Sequence, residues 1–213
     1  FVKATNGRRP GNMDSEGKGG TQPVVGVDRD EARAFCAWIT ERERNAGLIG
    51  PKDLYRLPTD EEWSRAVGLP LERGATPSER NGRIRGIYPW GFDWPPPEGI
   101  DNFADMNAGR KANLEAIIPG YQDRFPQLAP VAGFQPNERG IIGLAGNASE
   151  WVETEFDAAK STDGKAKSTL ATVRGGNWRS ANPDELLSSA RMPVPPDTKR
   201  PTIGFRIVLE RRK

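Results

Sequence analysis

The chain has 213 residues, a length that fits one domain or one domain with a long arm. Its 31 Lys and Arg nearly balance 29 Asp and Glu, and a formal charge of +2 argues against a dedicated binder of nucleic acid or anionic membrane, which carries a strong basic excess. There is no histidine and one cysteine, Cys36. Those two facts exclude Ser-His and Cys-His catalysis, Cys/His zinc sites, the two-His-one-carboxylate iron site and an internal disulfide.

Residues 1–22 are polar and glycine-rich and read as a loop or loose arm; residues 23–213 read as the domain. The first residue is Phe1, not Met, and a fragment of a longer protein is the expectation. No apolar run approaches the about 18 residues of a membrane span, and no signal peptide is visible. Pro23 to Val27 is a short apolar run and a candidate strand. The first helix is signalled by Asp28 as N-cap with Glu31 three residues on, a capping box. Ala32, Phe35, Cys36 and Ile39 then form one apolar face, and Gly47 is the stop. Cys36 on that face is a small buried hydrophobe. Tyr55 to Pro58 is extended, because a residue before proline is pushed from helical angles. A second, shorter helix follows, capped by Thr59 and Glu62, with Trp63, Ala66 and Val67 as its stripe and Gly68 as its end.

Residues 70–140 are mostly loop, punctuated by Tyr88-Pro-Trp-Gly91 and Trp94-Pro-Pro-Pro97. So long a structureless stretch needs buried aromatics or a bound cation to fix it. Six Trp and eight Phe supply apolar area for a core. Residues 157–168 read as a solvated excursion, and Thr169 to Val173 and Ile203 to Leu209 as closing strands.

In order along the chain, these segments resemble the formylglycine-generating enzyme, or sulfatase-modifying-factor, family. The resemblance rests on Phe35-Cys-Ala-Trp38, Tyr55-Arg-Leu-Pro-Thr-Asp-Glu-Glu-Trp63, Tyr88-Pro-Trp-Gly91, Asn102-Phe103, Gly140 to Trp151, Val173-Arg-Gly-Gly-Asn-Trp178 and Ile203-Gly-Phe-Arg206. It implies an α+β fold, an irregular variant of the C-type-lectin fold with two helices, a small twisted antiparallel sheet and long loops. Family domains normally begin several dozen residues before the point equivalent to Phe1.

The family's catalysts hold copper through two cysteines shortly after the Gly-Gly. Here Ser180 occupies the first position, and the second falls at or near Glu185. Neither residue supplies the soft sulfur that Cu(I) requires. Cys36 belongs to a distant helix, and relatives that use histidine-bound iron are excluded by the absence of histidine. The resemblance therefore implies no copper, iron or zinc and no catalytic residue. A cysteine-independent branch of oxidative tailoring enzymes remains a lesser alternative. The acidic pairs Asp184-Glu185 and Glu153/Glu155 are assigned no catalytic role.

The same resemblance implies calcium. Carried over residue by residue, one site uses the Asn102 side chain, the Phe103 carbonyl, the Asp123 side chain and the Phe125 carbonyl. Loops supply such all-oxygen sets readily. A second site would use the Gly146 and Ala148 carbonyls with Glu150, but its remaining position is Gly143, which has no side chain, and Glu150 is open to pairing with a nearby cation instead. Arg206 is read as a structural, carbonyl-bound arginine.

The surface left for binding is the loop over 177–191. The candidates are Asn177, Trp178, Arg179, Ser180, Asn182, Asp184 and Arg191, facing a protein or peptide partner or a small ligand. Core packing beside the Gly-Gly is the competing role for Trp178. Two functions fit. One is a non-catalytic accessory domain of a larger bacterial signalling protein, a Ser/Thr kinase or caspase-like protease. The other is a variable protein of a diversity-generating retroelement, with a diversified loop at about 177–202. No nucleic-acid or membrane partner is expected. A lone buried thiol fits the cytoplasm without excluding export.

Overall fold

The computed structural model describes residues 2–5, 20–157 and 170–212. Most of the polar arm and most of the 157–168 excursion lie outside the described residues. In chain order the elements are α1 (Val2–Thr5), α2 (Arg29–Asn45), β1 (Leu54–Arg56), α3 (Asp60–Ala66), α4 (Pro77–Arg80), α5 (Met106–Ala112), β2 (Ser149–Glu155), β3 (Ala171–Arg174), β4 (Met192–Val194), β5 (Ile203–Phe205) and β6 (Val208–Glu210). Among the described residues no helix is long and apolar enough to cross a membrane.

Both expected capping boxes form. The Asp28 carboxylate accepts from Glu31 N–H while the Glu31 carboxylate accepts from Asp28 N–H, and Thr59 and Glu62 repeat the exchange at α3. Gly47 and Gly68, both at positive φ, follow the two helices as expected. Cys36 is buried, and desolvation pushes its thiol up to about 11, as for an inert core thiol. Two further short helices, α4 and α5, interrupt the stretch expected to be loop; Thr76 and Asp105 N-cap them.

The sheet differs from expectation in two ways. It is mixed: its order is β4-β3-β2-β5, with β2 antiparallel to β3 but parallel to β5. The stretch expected as one closing strand is two, because β5 joins that sheet while β6 pairs antiparallel with β1 in a separate two-stranded sheet. The apolar run at Pro23 makes a single bridge, Val25 to Gly204, and no strand.

β2 is the centre of the core. Trp151 packs with Ala32, Cys36 and Val173, while the next residue, Val152, faces the opposite cluster with Trp63 and Leu144, as strand alternation requires. A third cluster of Phe103, Ile118, Tyr121, Ala145 and Leu186, flanked by Tyr88 and Trp90, holds the long loops down. The tryptophans divide: Trp63, Trp151 and Trp178 are buried, and Trp94 is exposed.

A buried ion network ties α3, β3 and the loop after β3. The Asp60 carboxylate, fully buried, accepts from Arg174 and from Arg191 Nη2 at 2.9 Å. Arg191 also donates to both Glu72 oxygens at 2.6 Å. Arg174 Nη2 donates to the Ser188 carbonyl at 2.8 Å, and its guanidinium lies 4.3 Å from the Trp63 ring centroid. Burial alone would raise the Asp60 pKa, but the two guanidiniums outweigh it and hold the carboxyl below the usual carboxylate range. Asp60→Ala leaves two buried cations short of their shared anion, so urea denaturation of the variant should show a loss of about 3–5 kcal/mol. Because the folded pKa is depressed, the contribution of Asp60 is complete above its unfolded pKa of about 4 and drains as pH falls through the folded value. An Asp60→Ala variant that unfolds at the wild-type urea midpoint would show the network to be dispensable.

Candidate functional site

β3 runs into Gly175-Gly176, and the chain then turns beneath the sheet edge. Gly176 has no room for a side chain: a Cβ there would collide with Leu186 and the Ala145 carbonyl. That close approach sets the start of the following loop. Asn177 closes its first turn, since its side chain accepts from Arg179 N–H at 2.9 Å and donates to Ser149 Oγ at 3.0 Å. Ser180 Oγ accepts from Asn177 N–H at 3.1 Å, and the Ser180 carbonyl accepts from Ala104 N–H at 3.1 Å.

A cavity of about 320 Å³ opens against this turn. Asn177, Arg179, Ser180 and Glu185 line it from the loop, Met192 from the start of β4, and Arg200, Pro201, Thr202 and Ile203 from the approach to β5. Ser180, at the first position that the family resemblance gives to a copper-binding cysteine, and Glu185, at or near the second, therefore line one cavity.

The candidate residues of the 177–191 loop separate into three groups. Asn177, Arg179 and Ser180 line the cavity. Asn182 and Asp184 are exposed outside it: Asn182 Oδ1 accepts from Asp184 N–H, and Asp184 pairs with Arg85 at 2.8 Å on the open surface. Trp178 and Arg191 are buried, and the expectation that they face a partner is corrected. Trp178 packs inward and carries the Arg179 guanidinium 4.7 Å from its ring centroid, while Arg191 spends its donors on Asp60, Glu72 and backbone carbonyls. Arg200, Thr202 and Met192 were not singled out by sequence. They follow the 177–191 loop, and only the span 177–202 drawn for a diversified loop includes them.

The acidic pairs have partners as well. Glu153 pairs with Arg33 at 2.5 Å and Glu155 with Arg29 at 2.7 Å, which staples β2 to α2.

The two calcium donor sets differ in their fit. At the first, Asn102 is fully buried and its Nδ2 donates to the Gln127 carbonyl at 2.6 Å and to Asn147 Oδ1 at 3.0 Å. Both partners are acceptors, which fixes the amide orientation and leaves Asn102 Oδ1 buried with no hydrogen-bond partner among the described residues. Asp123 accepts from Phe103 N–H at 2.9 Å and Phe125 N–H at 2.8 Å. Burial nevertheless pushes its carboxyl up to about 6, with Asp105 and Asp101 adding to the rise. An orphaned acceptor on Asn102 and a desolvated carboxylate bonded to the next residue's N–H are donor types that fit a hard cation.

The second set does not fit. The Glu150 carboxylate receives Arg206 Nε and Nη2, each at 2.6 Å, and Trp63 Nε1 at 3.0 Å. Arg206 Nη2 also donates to the Ile142 and Gly143 carbonyls at 3.1 Å. A guanidinium thus supplies the positive charge that Gly146, Ala148 and Glu150 were expected to receive from calcium, and the Gly146 carbonyl accepts from Ala148 N–H at 2.8 Å.

The sulfatase-modifying factor enzyme 1-like domain matches residues 2–211, and the chain belongs to that family. It is 30% identical over 190 residues to inactive C-alpha-formylglycine-generating enzyme 2 of Bos taurus, covering 86% of this chain and 49% of the relative. It is 26% identical over 218 residues to the formylglycine-generating enzyme of Mus musculus, covering 96% of this chain and 49% of that protein. Serine/threonine-protein kinase pkn1 of Chlamydia caviae matches at 27% over 208 residues, 93% of this chain and 26% of the kinase. The chain spans about half the length of the first curated relatives it matches. Among solved structures, Treponema denticola variable protein 1 shares the fold, with a TM-score of 0.58 and 18% identity over 97% of this chain and 78% of that one.

Arg206→Ala removes the only guanidinium among the described residues that is bonded to the nearly buried Glu150 carboxylate. Since Arg206 itself is partly exposed, denaturant unfolding should report a loss of about 3 kcal/mol, the lower end for a broken buried pair. A neutral effect would release Glu150 from this structural role.

Proposed function

We propose that this chain is a non-catalytic binding domain on a formylglycine-generating-enzyme-like scaffold, serving as an accessory module of a larger bacterial signalling protein, and that the cavity bounded by Ser180 and Glu185 is its binding site. The observation that carries the reading is that Ser180 and Glu185, at and near the positions that the family resemblance gives to the cysteine pair, line one cavity and neither offers a thiolate. A hydroxyl and a carboxylate do not hold Cu(I), whereas the cavity itself persists and is polar enough to receive a ligand. Kinship with an inactive formylglycine-generating enzyme supports the loss of catalysis, and kinship with part of a kinase supports the accessory role. The likeness to a variable protein favours a second reading, in which the loop at about 177–202 is a diversified display surface. That likeness is one of fold alone, so it ranks behind the first reading.

Two measurements test the binding-domain reading. The purified chain, loaded with Cu(I) and given a cysteine-containing peptide and dioxygen, should leave the peptide mass unchanged; conversion of the cysteine to formylglycine would overturn the proposal. The Ser180→Cys/Glu185→Cys double variant should gain Cu(I) affinity over the wild-type chain in competition with a chromogenic chelator, because the two positions share the cavity wall.

We further propose that calcium occupies the first donor set, held by Asn102 Oδ1, the Phe103 carbonyl, the Asp123 carboxylate and the Phe125 carbonyl. The ion would satisfy the orphaned Asn102 oxygen and tie the 102 and 123 segments, supplying a structural cross-link and no chemistry. Calcium at tenfold over its Kd should raise Tm by about 3–6 °C relative to a chelator. Asn102→Ala should abolish that increment, and identical melts of the wild-type chain with calcium and chelator would reject the site.

A further inference from the structure

We infer that the cavity beside Ser180 recognises an oxyanion, the carboxylate or phosphate of an acidic peptide segment. The inference rests on the reading of this cavity as a binding site and names what it binds.

The argument starts from charge. Arg179 and Arg200 both line the cavity and both are exposed. Among the described residues no carboxylate pairs with either guanidinium; Arg200 Nη1 has only the Met192 sulfur at 3.9 Å. The contrast with the other arginines of this region is sharp. Arg174, Arg191 and Arg206 are each bound to a carboxylate, and Arg80 pairs with Asp60 and Glu61. Arg179 and Arg200, by contrast, face the cavity with no carboxylate partner among the described residues.

Arg179 is also held in place. Its guanidinium lies over the Trp178 ring, and that ring is fixed by burial, so stacking orders the fork before any ligand arrives. A planar fork with free N–H groups matches the two oxygens of a carboxylate or phosphate.

Two hydroxyls add donors. Ser180 Oγ accepts from Asn177 N–H, and among the described residues no acceptor takes its proton; Thr202, a second hydroxyl-bearing residue, lines the same cavity. The apolar lining, Met192 and Ile203, suits a neighbouring aliphatic side chain of a peptide rather than a bare ion. Glu185 opposes an anion, but it is exposed, so solvent weakens its repulsion.

The test uses the whole chain and three matched tripeptides, each acetylated and amidated, with leucine beside a central glutamate, phosphoserine or glutamine. Binding is followed by backbone-amide NMR shifts up to about 10 mM peptide, the range expected of so small a contact. The glutamate or the phosphoserine peptide should shift the amides of Arg179, Ser180 and Thr202, and whichever binds tighter identifies the oxyanion. Arg179→Gln and Arg200→Gln should each weaken that peptide about tenfold or more, the effect of losing a charge-assisted hydrogen bond. Glu185→Gln should tighten it severalfold. Equal binding of the glutamine peptide, or no shift in the cavity with either anionic peptide, overturns the inference while leaving the binding-domain reading intact. Copper-dependent oxidation of a cysteine peptide would instead defeat the reading on which it rests.

Discussion

One buried carboxylate organises this protein. Asp60 stands at the first turn of α3 with its side chain out of solvent, and Arg174 and Arg191 converge on it, with Arg80 3.3 Å away. Arg174 comes from β3 and Arg191 from the far end of the loop that follows. A carboxylate in that position is tolerable only with its cations present; Arg174 relies on it for an anion, while Arg191 shares it with Glu72. The loop after Gly176 is therefore pinned at both ends, by the strand that precedes it and by Arg191 at its close. Between those points the chain has little freedom, which is why a segment without regular structure can present a defined wall to a cavity.

The same economy governs the other polar groups near the sheet. Glu150 and Arg206 neutralise each other, and Arg206 reaches two carbonyls that a loop would otherwise leave unsatisfied. Trp63 connects the two ionic centres: its ring lies beneath Arg174 and its indole N–H donates to Glu150. Nearly every guanidinium near these centres is consumed by structure. The unpaired ones on the cavity wall, Arg179 and Arg200, stand apart chemically, and this distinction gives the cavity its character.

Much of the fold was legible in the sequence because it rests on local rules. The capping boxes at Asp28 and Thr59 use neighbours three residues apart, and the apolar stripes of α2 and α3 follow helical spacing. The sheet was less legible. Three-residue strands such as β4 and β6 carry too little pattern to be seen, and the parallel pairing of β2 with β5 joins segments more than 50 residues apart. For the proposed site, the sequence pointed to the loop after the Gly-Gly, but it did not show which of its side chains point outward. Trp178 and Arg191 have the residue types that dominate interfaces, and both turn inward.

The sequence by itself determined the family, the positions of the two main helices and a composition with no histidine and one cysteine, since composition and short motifs need no third dimension. Only the tertiary structure decided how similar residues divide their roles. Arg179 and Arg191 belong to one loop, yet one faces a cavity and the other neutralises Asp60. Nothing local distinguishes them: an arginine becomes structural when folding brings a buried anion within reach, and it stays available for binding when folding does not.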